Sequence, residues 1–203
     1  MSGTPDDDQT VPGHERVLHL DARSLRGMAH PLRLRIIGHL RTQGPTTATK
    51  LAQALGVNTG ATSYHLRQLA EYGYVVEDAE RGVGRERWWK AAHTATRVDK
   101  REFGANSGDP EASEAYLRAI AQVYAERIQQ FIDLHTLMDE PWLGSSTLSD
   151  YILSLTAEET QQLRDDLLEL LAKHRRHDPA QPDERPDAKP VSVQVQVLPH
   201  PEP

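Results

Sequence analysis

The sequence contains no cysteine. Disulfide frameworks and thiolate metal sites are therefore excluded. No run of about 18 apolar residues occurs, the length a membrane-spanning helix requires. The opening MSGTPDDDQTVPG is acidic and polar, without the basic and apolar regions of a secretory leader. A cytoplasmic protein with no membrane partner is the expectation. Also missing are a Gly-rich phosphate loop after a strand and a G-x-S-x-G motif around Ser145, Ser146 and Ser149. No enzyme, catalytic residue or cofactor is expected.

A positive balance is lacking too, since the net charge is -7. That average hides an uneven distribution. Residues 21–101 hold 14 Lys/Arg and 7 Asp/Glu, and the remainder holds 9 and 23. A basic segment inside an acidic chain is the asymmetry of a protein that turns one part toward phosphates.

What is present reads as helices with one hairpin. Residues 1–20 form a flexible N-terminus. Asp21 caps a short helix to about Ala29, and Pro31 opens another with Leu32, Ile36, Ile37 and Leu40 on one face. Gly44-Pro45 ends it. Thr46 and Thr47 are candidate caps for a helix near 47–55, and Thr59 for one reaching Tyr72. The bridge Gly56-Val57-Asn58 is short, so the pair is a helix-turn-helix. YVVED (74–78), a glycine-containing loop and RERWWKA (85–91) then form a β-hairpin, the wing.

Residues 93–111 read as a linker. A long helix follows over 112–138, with Glu140-Pro141 at its end. Tyr151–Leu155 is a short strand or a helical turn. Thr156 and Glu159 match a capping box for a helix to about His174. VSVQVQVL (191–198) alternates with period two, the pattern of a half-buried strand. A lone strand is unstable, so its partner is either 151–155 or a second chain. The fold class is thus mainly α with a small β-hairpin. A winged helix-turn-helix over 21–92 precedes a helical dimerisation or effector region over 112–198.

The second helix of such a motif enters the major groove. Thr62, Leu66 and Leu69 form its buried stripe. Thr59, Ser63, Tyr64 and Arg67 lie on or beside the other. Short hydroxyls near a helix N-terminus suit phosphates and base edges, and Arg67 reaches a phosphate or a guanine. On the wing, Arg81, Arg85 and Arg87 surround Gly82 and Gly84, with Glu80 and Glu86 as opposing charges.

"AHPLRLRIIGHL", "LAQALGVNTGATSYHLRQLAEYGYV" and the hairpin after them resemble the ArsR-type winged-helix repressors. The likeness is to a branch with SYHLR in the recognition helix and a long C-terminal extension. It is strong over 21–92 and weaker over 112–198, where "LSLTAEETQQL" and "VSVQVQVLPHPEP" match that branch. The resemblance implies a homodimer on inverted repeats of double-stranded DNA, with effector-controlled release. It puts DNA contact on Thr59, Ser63, Tyr64 and Arg67, with His65 either beside them or turned toward a neighbouring helix. The cysteine motif of the thiolate metal sensors would fall near 45–50, which reads PTTATK.

Three readings compete at this point: a sequence-specific regulator, a winged-helix protein–protein module without DNA binding, and a His/Asp metal-sensing repressor. For the last, His174 and His177 with Asp133, His135 and Asp139 are candidate ligands. The plainer account is that His174 to His177 favour a helix C-terminus. Tyr116, Tyr124, Phe131, Trp142 and Tyr151 either line a pocket for a small apolar effector or form a dimer core.

Overall fold

The computed structural model describes residues 17–20, 22–81, 86–98, 108–174, 177–179 and 185–200. It divides into two compact units. The first comprises residues 1–125 and 178–182, the second 126–177 and 183–203. No helix among the described residues is long and apolar enough to cross a membrane.

The first unit opens with β1 (Val17–Leu20) and α1 (Ala22–Met28), followed by α2 (Pro31–Gln43). Pro31 sits in the first turn of α2, where its missing N–H costs nothing. His30 Nδ1 accepts the Leu32 N–H at 3.1 Å and caps the helix. Leu34, Ile36, Ile37 and Leu40 form its buried side.

β2 (Thr46–Thr47) leads into α3 (Ala48–Leu55), capped by the Thr47 hydroxyl on Lys50 N–H at 3.4 Å. Gly56 takes a left-handed conformation, φ 66°, which lets the Val57 N–H turn back to the Ala52 carbonyl. α4 (Thr59–Glu71) follows at once. Its cap is Asn58, whose side chain accepts the Ala61 N–H at 2.8 Å, so the cap lies one residue before the expected Thr59. Asn at that position satisfies the same orphan donor.

β3 (Val75–Glu77) and β4 (Trp88–Ala91) pair antiparallel, Val75 opposite Ala91. This is the expected hairpin. β2 adds a third strand on the other side of β4, in the order β2-β4-β3. Two residues are too few to show a period, so β2 left no pattern in the sequence. β5 (Ala95–Val98) pairs in parallel with β1. The expected flexible N-terminus and linker thus each contain four residues in a ladder, again too short to register as alternation.

Leu25, Met28, Ile36, Leu40, Leu51, Leu66, Leu69, Tyr74 and Trp89 form the core of this unit. Gly27 on α1 lies beneath two rings: a Cβ there would stand 2.6 Å from Tyr72 Cγ and 2.8 Å from Tyr74 Cε2. Tyr74 is buried, and its hydroxyl donates to the Ser24 carbonyl. The first half of α5 (Pro110–Leu134) joins the cluster through Ala112, Tyr116, Ala119 and Val123. Arg41 donates to the His93 carbonyl at 2.9 Å and to Thr96 Oγ1 at 2.7 Å. Burial lowers its pKa to about 10 and raises that of Tyr116 to about 12.

The second unit takes up the rest of α5, which ends at Leu134 in a 3₁₀ turn, His135–Leu137, rather than running on to 138. Pro141 sits in the first turn of a short helix, α6 (Glu140–Gly144), so Glu140-Pro141 opens a helix as well as following the long one. α7 (Ala157–Ala172) carries the expected capping box: Thr156 N–H donates to Glu159 Oε2 at 2.8 Å and Glu159 N–H to Thr156 Oγ1 at 3.2 Å. Tyr151–Leu155 is neither strand nor helix, and 191–198 belongs to no sheet among the described residues. No described residue after Val123 is buried.

Candidate nucleic-acid interface

The order of residues in α4 decides which side chains are free to act. Thr62, Leu66 and Leu69, at helical spacing, are wholly buried. Thr62 is polar, and its hydroxyl donates to the Ala48 carbonyl at 2.9 Å and to the Thr59 carbonyl at 3.0 Å. That bond ties the start of α4 to the start of α3 and fixes how the helix is presented. With this stripe inward, Thr59, Tyr64 and Arg67 are exposed and Ser63 is half-buried. Tyr64 is 51% exposed, a large cost for an aromatic ring unless something covers it.

Thr59, Ser63 and Arg67 of α4 line an open groove of about 360 Å³ together with Glu86 and Arg87 before β4. Thr47, Ala48 and Thr49 at the start of α3 line it too. The helix hydroxyls and a wing arginine, 24 to 28 positions apart in sequence, therefore line a common space. Arg67 has no ion pair among the described residues. Arg87 lies 3.6 Å from Glu77 across the hairpin, and Arg81 lies 3.4 Å from Asp78. Lys90 also pairs with Asp78, at 3.1 Å. Wing carboxylates thus hold Arg81 and Arg87 near the base of the hairpin. Arg85 lies outside the described residues.

His65 is not on the exposed face. It is 8% exposed, its ring centroid 4.4 Å from that of His30. Arg33 Nε donates to His65 Nδ1 at 3.4 Å, which requires the neutral ring with its proton on Nε2. Burial lowers the pKa of His65, and the neighbouring His30 and Arg33 lower it further. His65 is a packing residue that supports α4 from behind, the orientation toward a neighbouring helix.

Sequence reasoning passed over Lys50. Its Nζ stands 4.6 Å from the centroid of the Trp88 ring, so an exposed cation on α3 leans over the wing. Its place as the third residue of the first motif helix was the available signal.

The other candidates do not converge. Asp139 lies 3.5 Å from Lys189, Asp133 accepts from Gln129 at 2.8 Å, and His135 Nδ1 meets the Ile132 carbonyl at 2.6 Å. No group of three His, Asp or Glu among the described residues is placed to hold a metal ion. Of the aromatic set, Tyr116 is buried in the first unit's core, while Tyr151 is 79% exposed.

The chain resembles known proteins over this segment. A family described as a helix-turn-helix domain matches residues 28–77. The HTH-type transcriptional regulator NmtR of Mycobacterium tuberculosis is 44% identical over 57 residues, 28% of this chain and 47% of that protein. The chain thus spans about half the length of this curated relative. Among solved structures, the transcriptional regulator Tm0710 of Thermotoga maritima aligns over 71% of this chain and 75% of its own, at 14% identity and a TM-score of 0.30. YusO of Bacillus subtilis aligns over 75% and 82%, at 12% identity and 0.31. Residues 28–77 carry a helix-turn-helix domain, and the hairpin that follows gives it a wing.

Proposed function

We propose that this chain is a sequence-specific DNA-binding transcriptional regulator that acts as a homodimer on an inverted-repeat operator. One observation carries the reading: Thr59, Ser63 and Arg67 on α4 share a groove with Arg87 of the wing. Short hydroxyls and a long guanidinium suit base edges and phosphates. An arginine across the groove suits the flanking backbone. The similarity to a transcriptional regulator over this domain supports the same reading. Tyr64, exposed on the same helix, is assigned to base contact, and Arg81 and Arg85 to the backbone beside the wing.

The test begins with selection of bound DNA from a random pool, followed by titration of the selected site at several salt concentrations. With about four to eight phosphates contacted per dimer, log affinity falls linearly with log salt at a slope of roughly -4 to -7. Half-sites should recur about 10 bp apart, or at a multiple of that. A pool that yields no enriched sequence, or an affinity indifferent to salt, overturns the proposal and favours a protein-binding winged helix.

A further inference from the structure

Glu86 is an acid in a groove otherwise suited to a polyanion. It is exposed, and it lines the space that Thr59, Ser63 and Arg67 of α4 share with Arg87. Two other carboxylates of the hairpin are committed to its own cations. Glu77 lies 3.6 Å from Arg87, and Asp78 meets Lys90 at 3.1 Å and Arg81 at 3.4 Å. Glu86 has no ion pair among the described residues, and neither has Arg67, although both line the groove. A guanidinium and a carboxylate therefore share one groove without neutralising each other.

A carboxylate here costs affinity for the DNA backbone, because it repels the phosphates that supply non-specific binding. At a base edge that cost is offset only by a donor, since an ionised carboxylate accepts and never donates. The major groove presents two such donors, the amino groups of cytosine and adenine. Adenine sets its N7 acceptor beside the amino group, which meets a carboxylate unfavourably. Cytosine presents the amino group alone. Arg67 has donors and no acceptor, so it fits O6 and N7 of guanine. Together the two side chains complement a G·C pair.

From this we infer that Glu86 is a specificity-determining residue. Its carboxylate accepts from a cytosine amino group in each half-site, with Arg67 on guanine, and it loosens the hold on sequences that offer no such donor. Selectivity of this kind comes from a repulsive element as much as from an attractive one. The inference rests on the DNA-binding reading proposed for this groove and adds which base pair the groove prefers.

The test uses the full chain and DNA selected from a random pool. The wild type should enrich a G·C pair at one position of each half-site. Glu86→Gln should move that position to A·T, because an amide both accepts and donates and so matches adenine N6 and N7. Glu86→Ala should leave the position without preference, a loss of roughly 10-fold in discrimination. Both variants should bind scrambled DNA roughly 5-fold more tightly than the wild type at low salt, since one negative charge per protomer is gone. Circular dichroism should be unchanged, as the side chain is exposed. Selected sequences identical to that of the wild type in both variants, or scrambled DNA bound no more tightly by either, overturn the inference and leave Glu86 a solvated surface charge. The two readings fail differently. A wild type that enriches no sequence sinks the regulator reading and this inference with it, whereas one sequence shared by wild type and variants sinks only the role of Glu86.

Discussion

Leu66 on α4 and Leu170 on α7 are both leucines in amphipathic helices, yet the first is wholly buried and the second is 53% exposed. The contrast runs through the molecule. In the first unit α1 to α4, the hairpin and the start of α5 close on one another around a shared core. In the second, equally good helical and strand-like sequences leave their apolar residues in water. Period and propensity are alike in the two regions. They differ in burial: among the described residues the first unit encloses its apolar faces, and the second buries no residue after Val123. Local pattern establishes that an element wants a partner and is silent on whether that partner lies in the same chain.

The largest expected effect tests that contrast directly. Leu66→Ala should destabilise by about 2–5 kcal/mol, the cost of a buried cavity. Leu170→Ala should stay within about 0.5 kcal/mol at concentrations where the chain is single. Denaturant titration of both, with unfolding followed by circular dichroism, decides it, and equal losses would erase the distinction.

A smaller effect separates two faces within the first unit. Tyr64→Ala should weaken the selected operator by about 1–3 kcal/mol and spare random DNA, because lost base contacts cost only the specific complex. Arg87→Ala should weaken both alike and make the salt slope shallower by about one unit. Paired titrations on operator and scrambled DNA check this. Equal losses for Tyr64→Ala with the fold intact would take that residue off the reading face.

The smallest effect concerns the support behind α4. His30 and His65 both have lowered pKa values, chiefly from burial. The unfolded chain therefore binds protons more readily than the folded one. The stability they contribute is complete above the ordinary histidine value of about 6.5 and declines as pH falls below it. Thermal unfolding from pH 7.5 to 5 should show the midpoint falling, with a shallower slope in His65→Asn. A midpoint rising toward low pH would contradict the neutral pair formed by exposed His30 and buried His65.

Much of the first unit was legible because its signals are local. Pro31 at a helix start, Thr47 as a cap, Gly56 past a helix end and the stripe Thr62, Leu66, Leu69 each declare themselves within a few residues. β2, β1 and β5 were hidden because two to four residues carry no measurable period. Asn58 was overlooked as a cap because Thr59, beside it, has the same chemistry. The grouping of Thr59, Ser63 and Arg67 followed from helical spacing. Joining them to Arg87 required the hairpin register, and Lys50 against Trp88 required the crossing of α3 with the wing. VSVQVQVL shows the opposite failure: its alternation was plain, yet it joins no sheet among the described residues.

Gly27 has a consequence for how this domain tolerates change. Every single-nucleotide alteration of a glycine codon that gives another amino acid adds at least a Cβ. Any such atom would enter the space between the Tyr72 and Tyr74 rings. Tyr74 cannot swing aside without giving up its bond to Ser24, and moving Tyr72 would disturb the residue that closes α4. Replacing Gly27 with alanine would gain about 1 kcal/mol of helix propensity, but the overlap outweighs it. An added side chain at Gly27 would thus press on the far end of the helix proposed to read DNA, so a residue that touches no ligand constrains how that helix is held.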